Sequence, residues 1–405
     1  MSRTLRITLM LVFVAGFACG FAGLVVPNQT ALLETPRAQS YQFQRLHIFL
    51  FNLVGGGTTL LWFTEGARQL SRRAALFMIL ALVFSLLAFL NQYALAIISA
   101  IALAVIVEGI RIRRYPWFPG DLFRGTTPVA EKFHHAALLC LSIALVISSC
   151  VMLNNQYLHV FDFLNLLLDD FFLGFSFPFS LLTFAAMFAL MREPENRAAH
   201  VMEESSFWIV TVGVVVFFVF IILGITAVEI AISLILLGDV LLLFYLFRKN
   251  SRDLEQDQFL TSGMAFLTFT GVTGILILLW GLTTPQSRST GWNLLFQIHA
   301  YLALYGWNLS GLAVVIRFEE FPLRLHDLDI ILLHWVTIAL LAPLGSLFPV
   351  FALMALPAFV ALVWIFLFSA GHAHVATRKP DRSPFSTSFW RSAEPLRDSE
   401  TTEAT

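Results

Sequence analysis

The sequence predicts an all-α, polytopic integral membrane protein, and three observations carry that expectation. Of its 405 residues, 58% are hydrophobic and only 13% are charged, where an average soluble chain carries about a quarter charged residues. The apolar residues gather into runs long enough to cross a hydrocarbon layer of about 30 Å, which takes about 20 residues of helix. The basic residues then collect on alternate sides of those runs. A net charge of −1 leaves no basic face for nucleic acid. Cys19, Cys140 and Cys150 all lie in apolar runs. Cys140 and Cys150 would stand about 15 Å apart along one helix, beyond disulfide reach.

Twelve apolar stretches follow one another: 5–27, 43–64, 74–91, 94–113, 133–153, 163–191, 207–224, 226–247, 259–282, 293–316, 328–346 and 347–370. The last two form one continuous apolar run, divided near Ser346 because Pro343, Gly345 and Pro349 mark a tight turn. With the N-terminus in the cytoplasm, all but three of the 25 basic residues fall inside; Arg37, Arg45 and Arg288 are the exceptions. That bias predicts both ends inside and an even number of crossings. The first stretch follows Arg3 and Arg6 as a signal peptide would. About 20 apolar residues exceed a signal core, so it reads as an uncleaved anchor. Residues 1–370 are expected to form one membrane domain in contact with lipid. Residues 371–405, rich in Ser, Thr, Pro and charge, read as a disordered cytoplasmic tail.

An ionisable side chain within a span is costly and is a functional candidate by default. His47 falls near the outer end of span 2 and His299 about two turns into span 10 from the same side. Two neutral imidazoles at matching depth on separate helices suit axial ligation of a haem, one on each face of the iron. Gly55, Gly56 and Gly57 open span 2 to a flat macrocycle or to a close neighbouring helix. Hydrogen bonding of each imidazole to a neighbouring helix is the competing reading. Tyr301, Tyr305 and Trp307 follow His299.

These residues resemble the catalytic subunit of haem-copper oxidases, nearest the C-family oxidases, the nitric oxide reductases and the NnrS-type membrane proteins. Span 2 reads Arg45-Leu46-His47 and then Gly55-Gly56-Gly57, like the family span that supplies a low-spin haem ligand. Span 10 reads His299-Ala300-Tyr301 and then Gly306-Trp307, like the family His-x-His followed by Gly-Trp. The resemblance implies a twelve-span bundle in a bacterial inner membrane and one haem b in its outer half. It further implies a role in electron transfer, haem handling or nitric oxide response, with a respiratory or redox partner subunit. His47 would be the first ligand, with Arg45 for a propionate and His299 or Tyr301 opposite.

The departures from the family are specific. Tyr301 stands where the second histidine of the pair belongs, and residues two apart on a helix point about 200° apart. Stretches 163–191 and 207–224 contain no histidine, so the family's copper ligands are missing and copper is not expected. Reduction of oxygen or nitric oxide by the chain alone is then not expected either. Asp162, Asn165 and Asp169 share one face at the start of span 6, as a cation site or as ordinary helix-dipole partners. Asp239, in span 8, is a proton-path candidate or a helix-to-helix hydrogen-bond partner. On the inner side Glu108, His134, His135, His334, His372 and His374 could meet as a metal site. Two other classes stand beside the haem reading: a twelve-span secondary transporter and a cofactor-free structural subunit.

Overall fold

A computed structural model describes residues 1–21, 43–66, 69–161, 172–251, 255–283, 290–321 and 323–369. The helices are, in order, α1 (Arg3–Cys19), α2 (Arg45–Glu65), α3 (Arg72–Phe89), α4 (Tyr93–Arg114), α5 (Val129–Leu158) and α6 (Phe172–Leu190). They continue with α7 (Arg197–Leu223), α8 (Thr226–Asn250), α9 (Glu255–Thr283), α10 (Gly291–Arg317), α11 (Leu328–Gly345) and α12 (Pro349–Phe368). Among the described residues, 10 helices are long and apolar enough to cross a membrane, and Phe175–Leu190 is a shorter apolar one. The protein is all-helical and of the multi-pass membrane type.

Local chemistry sets the helix ends. Ser2, Ser71 and Asn196 each accept a backbone N–H of the first turn, at Leu5, Ala74 and Ala199. The Asn196 cap starts α7 at Arg197, ahead of the apolar run from 207, because a polar first turn extends the helix out of the lipid. Gly66 and Gly224 close α2 and α7 at φ 61° and 68°, a left-handed geometry that glycine adopts without strain. The first apolar stretch, read as 5–27, is helical only to Cys19; Gly20 and Phe21 turn, and residues 22–27 lie outside the described part. Ser346 falls in the turn between α11 and α12.

The helices differ sharply in enclosure. The core stretch of α2 is 83% buried and that of α10 78%, against 17% for α7 and 22% for α8. So α2 and α10 form the centre, while α7 and α8 lie at the rim with apolar faces turned outward. The bundle has no apolar driving force between helices once in lipid, so it relies on close packing. Phe13, Phe179 and Phe77 press on Gly55, Gly56 and Gly57, where an added Cβ would meet them at 2.3, 2.4 and 2.6 Å.

The central helices also carry wide turns. Phe49–Gly57 in α2, Leu302–Asn308 in α10 and Val336–Leu341 in α11 are π-helical, as is Asn154–Leu158 at the end of α5. Such turns are uncommon and gather at functional sites. The first three begin within three residues after a histidine (His47, His299 and His334); the one in α5 does not.

Candidate functional site

His47 sits in α2, two residues before its π segment, and is 6% exposed. Its Nδ1 lies 3.2 Å from the Tyr305 hydroxyl, across to α10. Its Nε2 makes no hydrogen bond among the described residues. Aromatic rings close the rest of the space. Phe17 of α1 stacks on Phe359 of α12 at 3.9 Å, and Phe51 lies 4.6 Å from Tyr305. Gly20 is required here by close approach: a Cβ would stand 2.9 Å from the Tyr301 hydroxyl and 3.0 Å from His47 Nδ1. Tyr301 is 1% exposed, and its hydroxyl has no hydrogen-bond partner among the described residues.

His299 faces another way. Its Nδ1–H donates to the Thr270 carbonyl of α9 at 3.0 Å, and Gly274 leaves room for the ring. Tyr301, two residues on, is turned to His47 instead, as the 200° offset requires. The packing therefore brings together His47, Tyr301 and Tyr305, and leaves His299 on α9. Arg45 is 7% exposed but stands two residues from His47, on the opposite side of α2.

These positions allow a test of fit for a haem. The donor set of His47 suits an iron in one tautomer: with Nδ1–H donated to the Tyr305 hydroxyl, Nε2 keeps its lone pair for a metal. His299 also has its Nδ1–H held, by the Thr270 carbonyl, but no hydrogen bond or ring contact among the described residues joins it to His47, so the two imidazoles are not brought together as a bis-histidine pair. Nor does the glycine run offer a flat slot, because phenylalanine rings fill its faces.

Below this centre, His334 Nε2–H donates to the Tyr305 carbonyl at 2.7 Å, within the π segment of α10. Asn308 binds α10 to α6, donating to Ser176 Oγ at 2.8 Å and accepting from Ser180 Oγ at 3.1 Å. Asn52, fully buried in α2, has neither amide atom satisfied.

A second polar cluster, where α4 and α5 meet, was only partly visible in the sequence. His135 Nε2 lies 2.8 Å from Arg111 Nη1, and its Nδ1 lies 2.7 Å from Asp121 Oδ2. A guanidinium only donates, so Nε2 is the acceptor and Nδ1 carries the proton. Arg111 Nε donates to both Glu108 oxygens, at 3.1 and 2.8 Å, and Ser142 donates to Glu108 at 2.5 Å. His134 is fixed in the opposite sense. Thr64 spends its proton on the Leu60 carbonyl, so it accepts from His134 Nε2–H at 2.9 Å. His134 Nδ1 then accepts from the Tyr115 hydroxyl at 2.7 Å. Burial raises the Tyr115 hydroxyl above its usual range, against the lowering by Arg114, which keeps it a donor. Lys132, fully buried, pairs with Glu204 of α7.

The inner metal site expected from Glu108, His134, His135 and His334 is therefore corrected. His134 and His135 use both ring nitrogens within the network, and His334 belongs to the Tyr305 carbonyl. Among the described residues, no group of three or more His, Cys, Asp or Glu side chains is placed to hold a metal ion. Arg111, Asp121, Tyr115 and Thr64 were missed because their partners are distant in sequence and their spacing follows no motif. Asp239 accepts from Ser206 at 2.9 Å, a helix-to-helix bond. Asp162, Asn165, Asp169, Arg37, Arg288, His372 and His374 lie outside the described residues. No protein-family model matches the chain, and no match was found among characterised proteins or solved structures.

Proposed function

We propose that this chain is a twelve-span protein of a bacterial inner membrane, with both ends in the cytoplasm, that binds one b-type haem through His47 alone. The observation that supports this reading is the divided imidazole: Nδ1 is engaged by Tyr305, while Nε2 has no hydrogen bond among the described residues. A haem held by His47 would supply one-electron exchange and the binding of a small gas. The chain's own residues orient the ligand. Tyr305 fixes the ring, Gly20 admits the close approach of α1, and Tyr301 holds an unmet hydroxyl on the same side. The split of 22 basic residues against three supports the orientation. Arg45 is buried on α2 two residues before His47, on the other side of the helix. With no copper ligands in spans 6 and 7, the reading assigns electron transfer or gas binding rather than reduction of oxygen or nitric oxide.

The filled glycine faces favour a second reading, a cofactor-free structural subunit on the same frame. The visible spectrum of the purified protein, oxidised and dithionite-reduced, separates the two. The haem reading expects a Soret and an α band, lost in His47→Ala and kept in His299→Ala, with carbon monoxide shifting the reduced Soret. A flat spectrum of the wild-type protein overturns the haem reading and leaves the second. Loss of the bands in His299→Ala as well would restore the bis-histidine arrangement.

A further inference from the structure

Residues 115–128 join α4 to α5 at the end of the bundle that holds the Arg111 network. Trp117 is 81% exposed, Phe118 66% and Phe123 69%. This outward posture is built, not slack. Arg111, itself 3% exposed, donates to the Pro116 carbonyl at 3.0 Å and the Trp117 carbonyl at 2.9 Å. Asp121, within the short 3-10 helix Gly120–Phe123, is held by His135. Tyr115 is stacked on His135 at 4.3 Å and bonded to His134. Buried charge is thus used to fix Trp117 and Phe118 away from the core, while Phe123 rests one edge on Trp208 of α7, ring centroids 5.0 Å apart, and stays largely exposed. Water gives no return for that arrangement, whereas the headgroup boundary of a bilayer does, since amphipathic rings settle there.

Arg113 and Arg124 flank these aromatics in the sequence and are exposed, and their guanidinium groups have no hydrogen-bond or ion-pair partner among the described residues. Unpaired guanidinium groups beside an apolar anchor match a phosphate on an acyl-chain surface. We propose that the α4–α5 connection is a docking site for anionic phospholipid, with Arg113 and Arg124 binding the headgroup phosphate and Trp117, Phe118 and Phe123 seated among the adjoining chains. The inference is independent of the haem reading and holds whichever side of the membrane the connection faces.

The test titrates the full chain in detergent with phosphatidylglycerol, phosphatidylcholine or inorganic phosphate, and counts bound molecules by native mass spectrometry. Phosphatidylglycerol is expected to bind in preference to phosphatidylcholine, and inorganic phosphate not to compete. Arg113→Gln with Arg124→Gln should weaken phosphatidylglycerol roughly 30-fold and leave phosphatidylcholine unchanged. Trp117→Ser with Phe118→Ser should weaken both lipids. For the unmodified chain, about 1 M salt, where screening reaches only a few ångströms, should erase the preference. Equal binding of the two lipids, a preference that survives the double arginine variant or high salt, or competition by inorganic phosphate would each overturn the proposal.

Discussion

The two buried polar centres of this protein follow opposite rules. Around Arg111 nearly every polar atom is answered: the guanidinium uses all three nitrogens, and both histidines use both ring nitrogens. Asp121 Oδ1 and Glu204 Oε2 are exceptions among the described residues. Around His47 the polar atoms are few and partly unanswered, with the Tyr301 hydroxyl and, further along α2, the Asn52 amide left without partners among the described residues. A burial cost of several kcal/mol attaches to a polar group without a partner in an apolar medium, so such groups persist where something else is gained. A satisfied network holds a shape. An unsatisfied one, at the most enclosed helix of the bundle, marks the place to look for a ligand. On the proposed reading, that contrast gives the α4–α5 end a structural part and makes the α2–α10 centre the candidate ligand site.

The strongest way to break the contrast is Arg111→Met. Methionine fills similar volume but leaves His135 Nε2 and the Pro116 and Trp117 carbonyls without a donor. Removing one partner of a buried charged network costs about 3–5 kcal/mol. Thermal unfolding in detergent should show a large drop in midpoint, while any absorbance due to His47 is retained in the folded fraction. A variant as stable as the parent would mean that the α4–α5 network does not hold the fold.

Much of this was legible in the sequence, and the illegible part has a common cause. The helices follow from apolar run length, and the α11–α12 turn follows from Pro343, Gly345 and Pro349. His47 and Tyr301 could be named, but which of His299 and Tyr301 faces α2 depends on the rotation of α10 about its axis. That rotation is set by Gly306, which lets α9 come so close that an added Cβ would meet Phe266 at 2.5 Å. The π turns were invisible, since no residue pattern separates a wide turn from an α-helical one. The Arg111 network joins α2, α4, α5 and the connection between the last two, through single residues with no periodic spacing. The histidines were visible as residues and not as partners.

Gly20→Ala tests the outer centre at the next level of effect. The new methyl would meet the Tyr301 hydroxyl at 2.9 Å, His47 Nδ1 at 3.0 Å and the Phe17 carbonyl at 3.2 Å. Overpacking of this kind costs about 1–3 kcal/mol. Part of that cost should appear as displacement of the His47 ring, seen as a shifted Soret band in the haem-bound protein. Gly109, where an added Cβ meets nothing within 4 Å, is the control: Gly109→Ala should leave the band in place and raise stability by up to about 1 kcal/mol through helix propensity.

The finest test sets two tyrosines against each other. Tyr115→Phe removes the donor that His134 Nδ1 accepts from at 2.7 Å, so a buried acceptor loses its partner. The expected cost is about 1–3 kcal/mol. Tyr301→Phe removes a hydroxyl that has no partner. Deleting an unanswered polar atom relieves its desolvation penalty, so the change should be neutral or stabilise the protein by up to about 1 kcal/mol in the absence of ligand. The same substitution should alter the carbon monoxide spectrum of the reduced haem form, because Tyr301 lies beside His47. Chemical denaturation of both variants, with helix loss read by circular dichroism, gives the two numbers directly. Equal costs at Tyr115 and Tyr301 would show that the Tyr301 hydroxyl is already answered within the protein, and the α2–α10 centre would then lose its distinction from the α4–α5 network.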